Sequence, residues 1–292
     1  MSETTAIQTL ERHSPAPHAE SGDRQPLFID RPHGRLFAIH HPPMGTPERG
    51  EAVVYTHPFA EKMNQSRRMA ALQAEALAGL GYGVLMLDLT GCGDSTGEFA
   101  DARWETWRED VVAGCGWLGA HGYGRITLWG LRLGAALAVE TACAEPEICH
   151  RLMLWQPTVS GRTLLTQFLR LKIAAEMAAG GGETTKSMRA ALGAGETLEI
   201  AGYELAPELA GALDAVDLAR AELPDGLHID WIEIVPEAGR EPAPASQRVI
   251  ERWREAGSAP MVETVPGDAF WSIQETTLAP ALIERTTALL GV

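Results

Sequence analysis

Arg132 stands at the middle of Gly130-Leu131-Arg132-Leu133-Gly134, between an apolar strand, Ile126 to Trp129, and an Ala/Leu-rich helix, Leu133 to Ala144. Two glycines four apart suit a strained turn in which strand and helix pack closely. The residue between them sits at the carboxyl edge of the strand, where open α/β sheets bind their ligands. A hydroxyl or thiol at that point would be a nucleophile. A guanidinium is not one, because it stays protonated at any ordinary pH. Its natural chemistry is to hold a carboxylate or phosphate through paired N–H donors, beside a helix N-terminus.

Other reactive groups fall at neighbouring strand ends. His57 opens His57-Pro58-Phe59-Ala60-Glu61, directly after the strand Ala52 to Thr56. Pro58 has no N–H to offer, but Phe59 does. Asp88-Leu89-Thr90-Gly91-Cys92-Gly93-Asp94-Ser95 follows the apolar run Val84 to Leu89 and reads as a structural turn. Cys92 has no assignable histidine partner there. Glu237 follows a strand that ends near Val235, and Ala269 lies in the loop after the last strand, Met261 to Val265. His57 is the one histidine expected at the carboxyl edge. His121, His150 and His228 precede strands, and the others fall in the N-terminal tail or beside the first hairpin.

These positions leave three readings open. In the first, Arg132 receives a small anion together with the N–H groups of Phe59 and Leu133 and with His57. The internal counterpart is an ion pair with Glu61 or Asp88, since a buried unpaired arginine is costly. In the second, Arg132 stabilises a developing anion while His57, Glu61 or Glu237 moves a proton. In the third, residues 157–224 form a partner-binding surface, with Phe168, Leu169, Leu171, Ile173 and Met177 apolar and Arg162, Arg170 and Lys172 basic.

The elements that must position these groups follow from patterning. The 292 residues suffice for one α/β domain with an insertion. A net charge of −15 argues against nucleic acid and anionic membrane surfaces as partners. Cys92, Cys115, Cys143 and Cys149 show neither Cys-x-x-Cys nor zinc-ligand spacing. No metal or cofactor is implied. No signal peptide or transmembrane run is evident, so a cytoplasmic protein with reduced thiols is expected. Residues 1–25 read as a mobile tail, followed by a hairpin of Gln25 to Ile29 and Arg35 to His40. Strands then alternate with helices at Lys62 to Leu80, Asp101 to His121 and Leu133 to Ala144, with a strand at Arg151 to Trp155. Residues 157–224 look almost all helical, broken at Gly180-Gly181-Gly182 and Ala194-Gly195. Alternation resumes with Leu227 to Val235, Ala245 to Ala256, Met261 to Val265 and a closing helix, Ile273 to Leu290. The expectation is a doubly wound, mostly parallel sheet, with a core of 26–156 and 225–292 and a helical cap at 157–224.

With those residues in view, the chain resembles the α/β hydrolases. In that fold Gly130 to Gly134 occupies the place of the Gly-x-Ser-x-Gly nucleophile elbow. Several strings are more specific: His57 to Asn64, Trp129 to Gly134, Leu154-Trp155-Gln156-Pro157, Ala201 to Leu205, Pro244 to Arg248 and Phe270-Trp271. They are similar to the exosortase A system-associated hydrolase 2 family, over roughly residues 25–291. The resemblance implies a bacterial setting of anchor-signal protein sorting and exopolysaccharide production, with exosortase-system proteins as partners. Of the readings above, the first takes a small anionic ligand, and the second an ester, a thioester or a glycolipid-linked substrate. The resemblance also implies a serine where Arg132 stands, an acid near Glu237 and a histidine near Ala269. With serine and histidine both replaced, an inactive or non-standard hydrolase is expected.

Overall fold

The computed structural model of the chain describes residues 24–44, 50–178, 182–273, 275 and 277–291. Except for Arg24 and Gln25, the expected tail lies outside these residues, as do Gly180 and Gly181. The chain opens with a hairpin, β1 (Gln25–Arg31) and β2 (Gly34–His41), whose strands pair antiparallel. β3 (Glu51–Thr56), α1 (Lys62–Gly79), β4 (Gly83–Leu87), α2 (Trp104–Ala120), β5 (Arg125–Leu131), α3 (Leu133–Ala144) and β6 (Arg151–Trp155) then alternate. After an insertion come β9 (His228–Val235), α7 (Pro244–Glu255), β10 (Met261–Pro266) and α8 (Pro280–Leu290). The main sheet runs β1-β2-β4-β3-β5-β6-β9-β10, parallel from β4 onward. It is the expected doubly wound, mostly parallel sheet.

Both faces of that sheet are covered, which is why its central strands are almost wholly apolar. Val53, Tyr55, Trp129, Met153 and Trp155 face one core with Met69 and Leu77 of α1 and Leu282 and Leu290 of α8. Their strand neighbours Val54, Leu128, Leu152 and Leu154 face the other, with Val111 of α2, Leu137 of α3 and Trp253 of α7.

Two expected helices need correction. The helix predicted from Asp101 begins at Trp104, after a 3₁₀ turn at Phe99–Asp101. The closing helix begins at Pro280 rather than Ile273. Proline has no N–H and a fixed φ, so it fits the first helical turn and starts α8 there.

The insertion holds α4 (Gly161–Ala178), α5 (Thr185–Gly193), β7 (Leu198–Ile200), β8 (Tyr203–Leu205) and α6 (Pro207–Ala215). It is therefore not all helical. β7 and β8 form a separate antiparallel hairpin, turned at Ala201 (φ 51°) and Gly202 (φ 84°). Two consecutive positive φ angles give the tight turn whose twist matches paired strands. The ends of the insertion are tied together. Gly161 N–H donates to Val216 O at 2.9 Å, and Leu218 N–H to Val159 O at 3.1 Å.

Candidate functional site

The turn from β5 into α3 is held on all sides. Arg132 takes φ 57° and ψ −114°, a conformation that residues with a β-carbon rarely adopt. Its N–H donates to Trp155 O at 3.0 Å, and its carbonyl accepts from Thr158 N–H at 3.0 Å. The Thr56 hydroxyl donates to Gly134 O at 2.8 Å. A β-carbon at Gly134 would stand 2.1 Å from Thr56 O, and one at Gly130 2.4 Å from Ala135 N. Both glycines are therefore fixed by close approach of α3 to β3 and β5.

The Arg132 guanidinium is mostly buried. Nε is enclosed with no acceptor, and Nη1 makes a long contact of 3.4 Å with Gln156 O. The group lies 5.7 Å from the ring centre of Trp271. Among the described residues no carboxylate comes within ion-pair distance of it. Both expected partners are engaged elsewhere: Asp88 by Arg67 at 3.1 Å and Glu61 by Lys62 at 3.4 Å. Burial lowers the Arg132 pKa, and the field of Glu233 opposes that shift. Glu233 is itself buried on β9. Its oxygens accept from the Trp231 indole N–H at 2.9 Å and from Ala243 N–H at 3.0 Å. Guanidinium remains charged under these conditions, so the fold carries an electrostatically uncomfortable cation here.

Arg132 forms part of the floor of a cleft of about 180 Å³. Phe59, Glu61 and Lys62 supply one wall, Leu164, Gln167, Phe168 and Leu171 of α4 another, and Ser272 completes it. Glu61 Oε2 is buried without a hydrogen-bond partner. Of the four residues expected around an anion, Phe59 and Arg132 meet in this cleft. His57 and Leu133 instead line a neighbouring void of about 10 Å³, which Phe59 also borders. That space admits at most one water.

His57 is fully committed. Its Nδ1–H donates to Pro58 O at 2.9 Å, and its Nε2 accepts from Leu89 N–H at 3.3 Å. This pairing fixes a neutral tautomer, and burial lowers the ring's pKa accordingly. Cys92 borders the same void, but burial and the charges of Asp88 and Asp110 push its thiol up to about 12. A neutral thiol beside an imidazole with no free nitrogen is not a nucleophile–base pair. Glu237 stands outside the cleft, 77% exposed and 3.8 Å from Arg240. Among the described residues no group of three or more His, Cys, Asp or Glu could hold a metal ion. No helix there is long and apolar enough to cross a membrane.

Sequence reasoning missed Glu233, Lys62, Gln156 and Ser272. Glu233 had a signal: a carboxylate inside the apolar strand Ile229 to Val235 must be buried and hydrogen-bonded. Lys62 had only its place beside Glu61. Gln156 and Ser272 had none.

The family model of serine aminopeptidases S33 matches residues 47–191, which include β3, the elbow and the start of the insertion. No curated protein matches the chain by sequence. Among solved structures, Est1E from Butyrivibrio proteoclasticus with ferulic acid bound is similar at a TM-score of 0.63 and 16% identity, over 91% of this chain and 96% of that one. Carboxyl esterase 2 from the mycorrhizal fungus Tuber melanosporum aligns at 0.59 and 17%, over 96% and 87%. Mouse alpha/beta hydrolase domain-containing protein 10 aligns at 0.55 and 18%, over 91% and 96%. The chain thus has the α/β-hydrolase fold.

Proposed function

We propose that this protein uses a hydrolase scaffold to bind a small anionic ligand rather than to run Ser-His-Asp hydrolysis. One observation carries the reading: the mostly buried Arg132 guanidinium has no carboxylate within ion-pair distance among the described residues and opens on a cleft. A charge-assisted hydrogen bond at such a site contributes about 1.5–3 kcal/mol. The full occupation of His57 also supports it, because the nearest imidazole has no nitrogen free to act as base. That a structural neighbour was solved with ferulic acid bound supports a carboxylate as ligand. The strings shared with exosortase A system-associated hydrolase 2 support an accessory role beside that sorting system, in the cytoplasm. The insertion 157–224 is the surface we assign to contact with its proteins.

A second reading rests on the unpartnered Glu61 Oε2 in the same cleft. A carboxylate near a guanidinium can move a proton while the cation stabilises a developing anion. In that case the protein is a hydrolase of esters, thioesters or glycolipid-linked substrates by a non-triad route.

Thermal melts separate the two. Acetate should raise the Tm of the native chain, and Arg132→Gln should abolish the rise. An unchanged response in the folded variant removes the anion-binding reading. Turnover on an ester and thioester panel, lost in Glu61→Gln, would establish the second.

A further inference from the structure

We infer that the anion is the head of a short amphiphile, a monocarboxylate whose apolar tail lies along α4 and leaves the cleft past Leu171. The inference rests on the anion-binding reading of Arg132.

Local charge sets the head group. Lys62 is already matched by Glu61 at 3.4 Å. Both Glu233 oxygens accept N–H groups. The Arg132 guanidinium then remains at the cleft floor without a direct carboxylate contact among the described residues, and the field of Glu233 already offsets part of its charge, which leaves room for no more than a single negative charge. A dianionic phosphate would bring a second charge toward Glu61, and among the described residues lining the cleft no further unmatched cation stands to meet it. The planar fork of arginine also matches the two oxygens of a carboxylate.

The walls set the tail. Leu164, Phe168 and Leu171 follow one another at i, i+4 and i+7 and so share one face of α4. Phe59 faces them from the core, its ring centre 4.9 Å from that of Phe168. Leu164 and Phe168 are buried, whereas Leu171 is 42% exposed at the rim. An apolar side chain left in water at the mouth of an apolar-walled cleft marks where a tail gains cover. A cleft of about 180 Å³ fits a short chain or a single ring, not a polymer.

Calorimetric titration of the full chain with acetate, butanoate, hexanoate and octanoate tests this, with hexanol and hexyl phosphate as controls. Affinity should rise roughly fourfold per methylene until the tail passes Leu171. Hexanol should bind at least tenfold more weakly than hexanoate, and so should hexyl phosphate at pH 8, where it is mainly dianionic. Leu171→Gln, at an exposed site, should keep the fold and weaken octanoate roughly three- to tenfold more than it weakens acetate. Acetate binding that depends on Arg132 with no gain from chain length overturns the amphiphile and leaves the anion-binding reading intact. Absence of binding by every carboxylate overturns both. Tighter binding of hexyl phosphate than of hexanoate overturns the single-charge argument. If Arg132→Gln does not fold, Arg132→Met supplies the charge-free control.

Discussion

Two loops at the carboxyl edge of the same sheet each bury a charge, and they treat it in opposite ways. After β4, Asp88 is enclosed and fully served. Arg67 reaches it at 3.1 Å and Asp94 N–H donates to it at 3.0 Å. Gly93 presses so close that a β-carbon there would lie 1.9 Å from the carboxylate. After β5, Arg132 is also mostly enclosed, yet its Nε has no acceptor and, among the described residues, no carboxylate lies within ion-pair distance of it. A charge whose partners are all internal builds a turn. A charge left short of partners, at the floor of a cleft, is where we propose that a ligand binds. Charge alone does not separate structure from function; completeness of the hydrogen-bond shell does.

The contrast can be broken by mutation. The largest effect should come from the scaffold that both loops share. Gly134→Ala sets a β-carbon against Thr56 O, and overpacking backbone against backbone should cost about 3 kcal/mol or more. Soluble yield and urea midpoint check it. Asp88→Ala should cost about 2–3 kcal/mol through lost charge-assisted hydrogen bonds, moderated because Arg67 is 40% exposed and can regain water. Arg132→Met should do the reverse. Replacing an under-compensated buried cation with an apolar chain should leave stability unchanged or raise it by about 1–2 kcal/mol, while anion-induced stabilisation disappears. Loss of stability comparable to Asp88→Ala would erase the distinction between the two loops.

His57 ties the first of these loops to a third, since its ring joins the loop after β3 to Leu89 after β4. Its folded pKa lies below the ordinary value of 6.5. The unfolded chain therefore takes up a proton as pH falls through 6.5, before the folded chain does. The stabilising contribution of neutral His57 is complete above that pH and is lost progressively below it. The urea midpoint of the native chain should fall between pH 7 and pH 5 more steeply than that of His57→Asn. Parallel slopes would place His57 outside the pH response. Glu237→Gln should be the smallest change, within about 0.5 kcal/mol and without effect on anion binding, because that carboxylate is exposed.

Much of the sheet was legible because buried parallel strands have no polar face to disguise them. β6 and α3 begin and end where their residue patterns predict. The hairpin inside the insertion was written in the sequence but easy to overlook. Leu198-Glu199-Ile200 and Tyr203-Glu204-Leu205 alternate symmetrically about Ala201-Gly202, yet each strand has only three residues beside long helical runs. The site was half legible. The elbow was clear from Gly130, Arg132 and Gly134, since glycine spacing reports local sterics. The partners of Arg132 were not, because Asp88 belongs to Arg67, a residue on α1 that only tertiary packing brings to the sheet edge. Glu233 was hidden for the opposite reason, as part of a strand read for its apolar residues alone.

The paired ends of the insertion carry a consequence for how such a molecule changes over time. Because Gly161 reaches Val216 and Val159 reaches Leu218 through main-chain bonds, the segment between them hangs from a clasp. Closing a longer or shorter loop through a fixed clasp costs little in chain entropy. Roofs of different length and composition can then be exchanged above the same floor without disturbing β6 or β9. On the anion-binding proposal, selectivity is free to drift while the cationic base stays where it is.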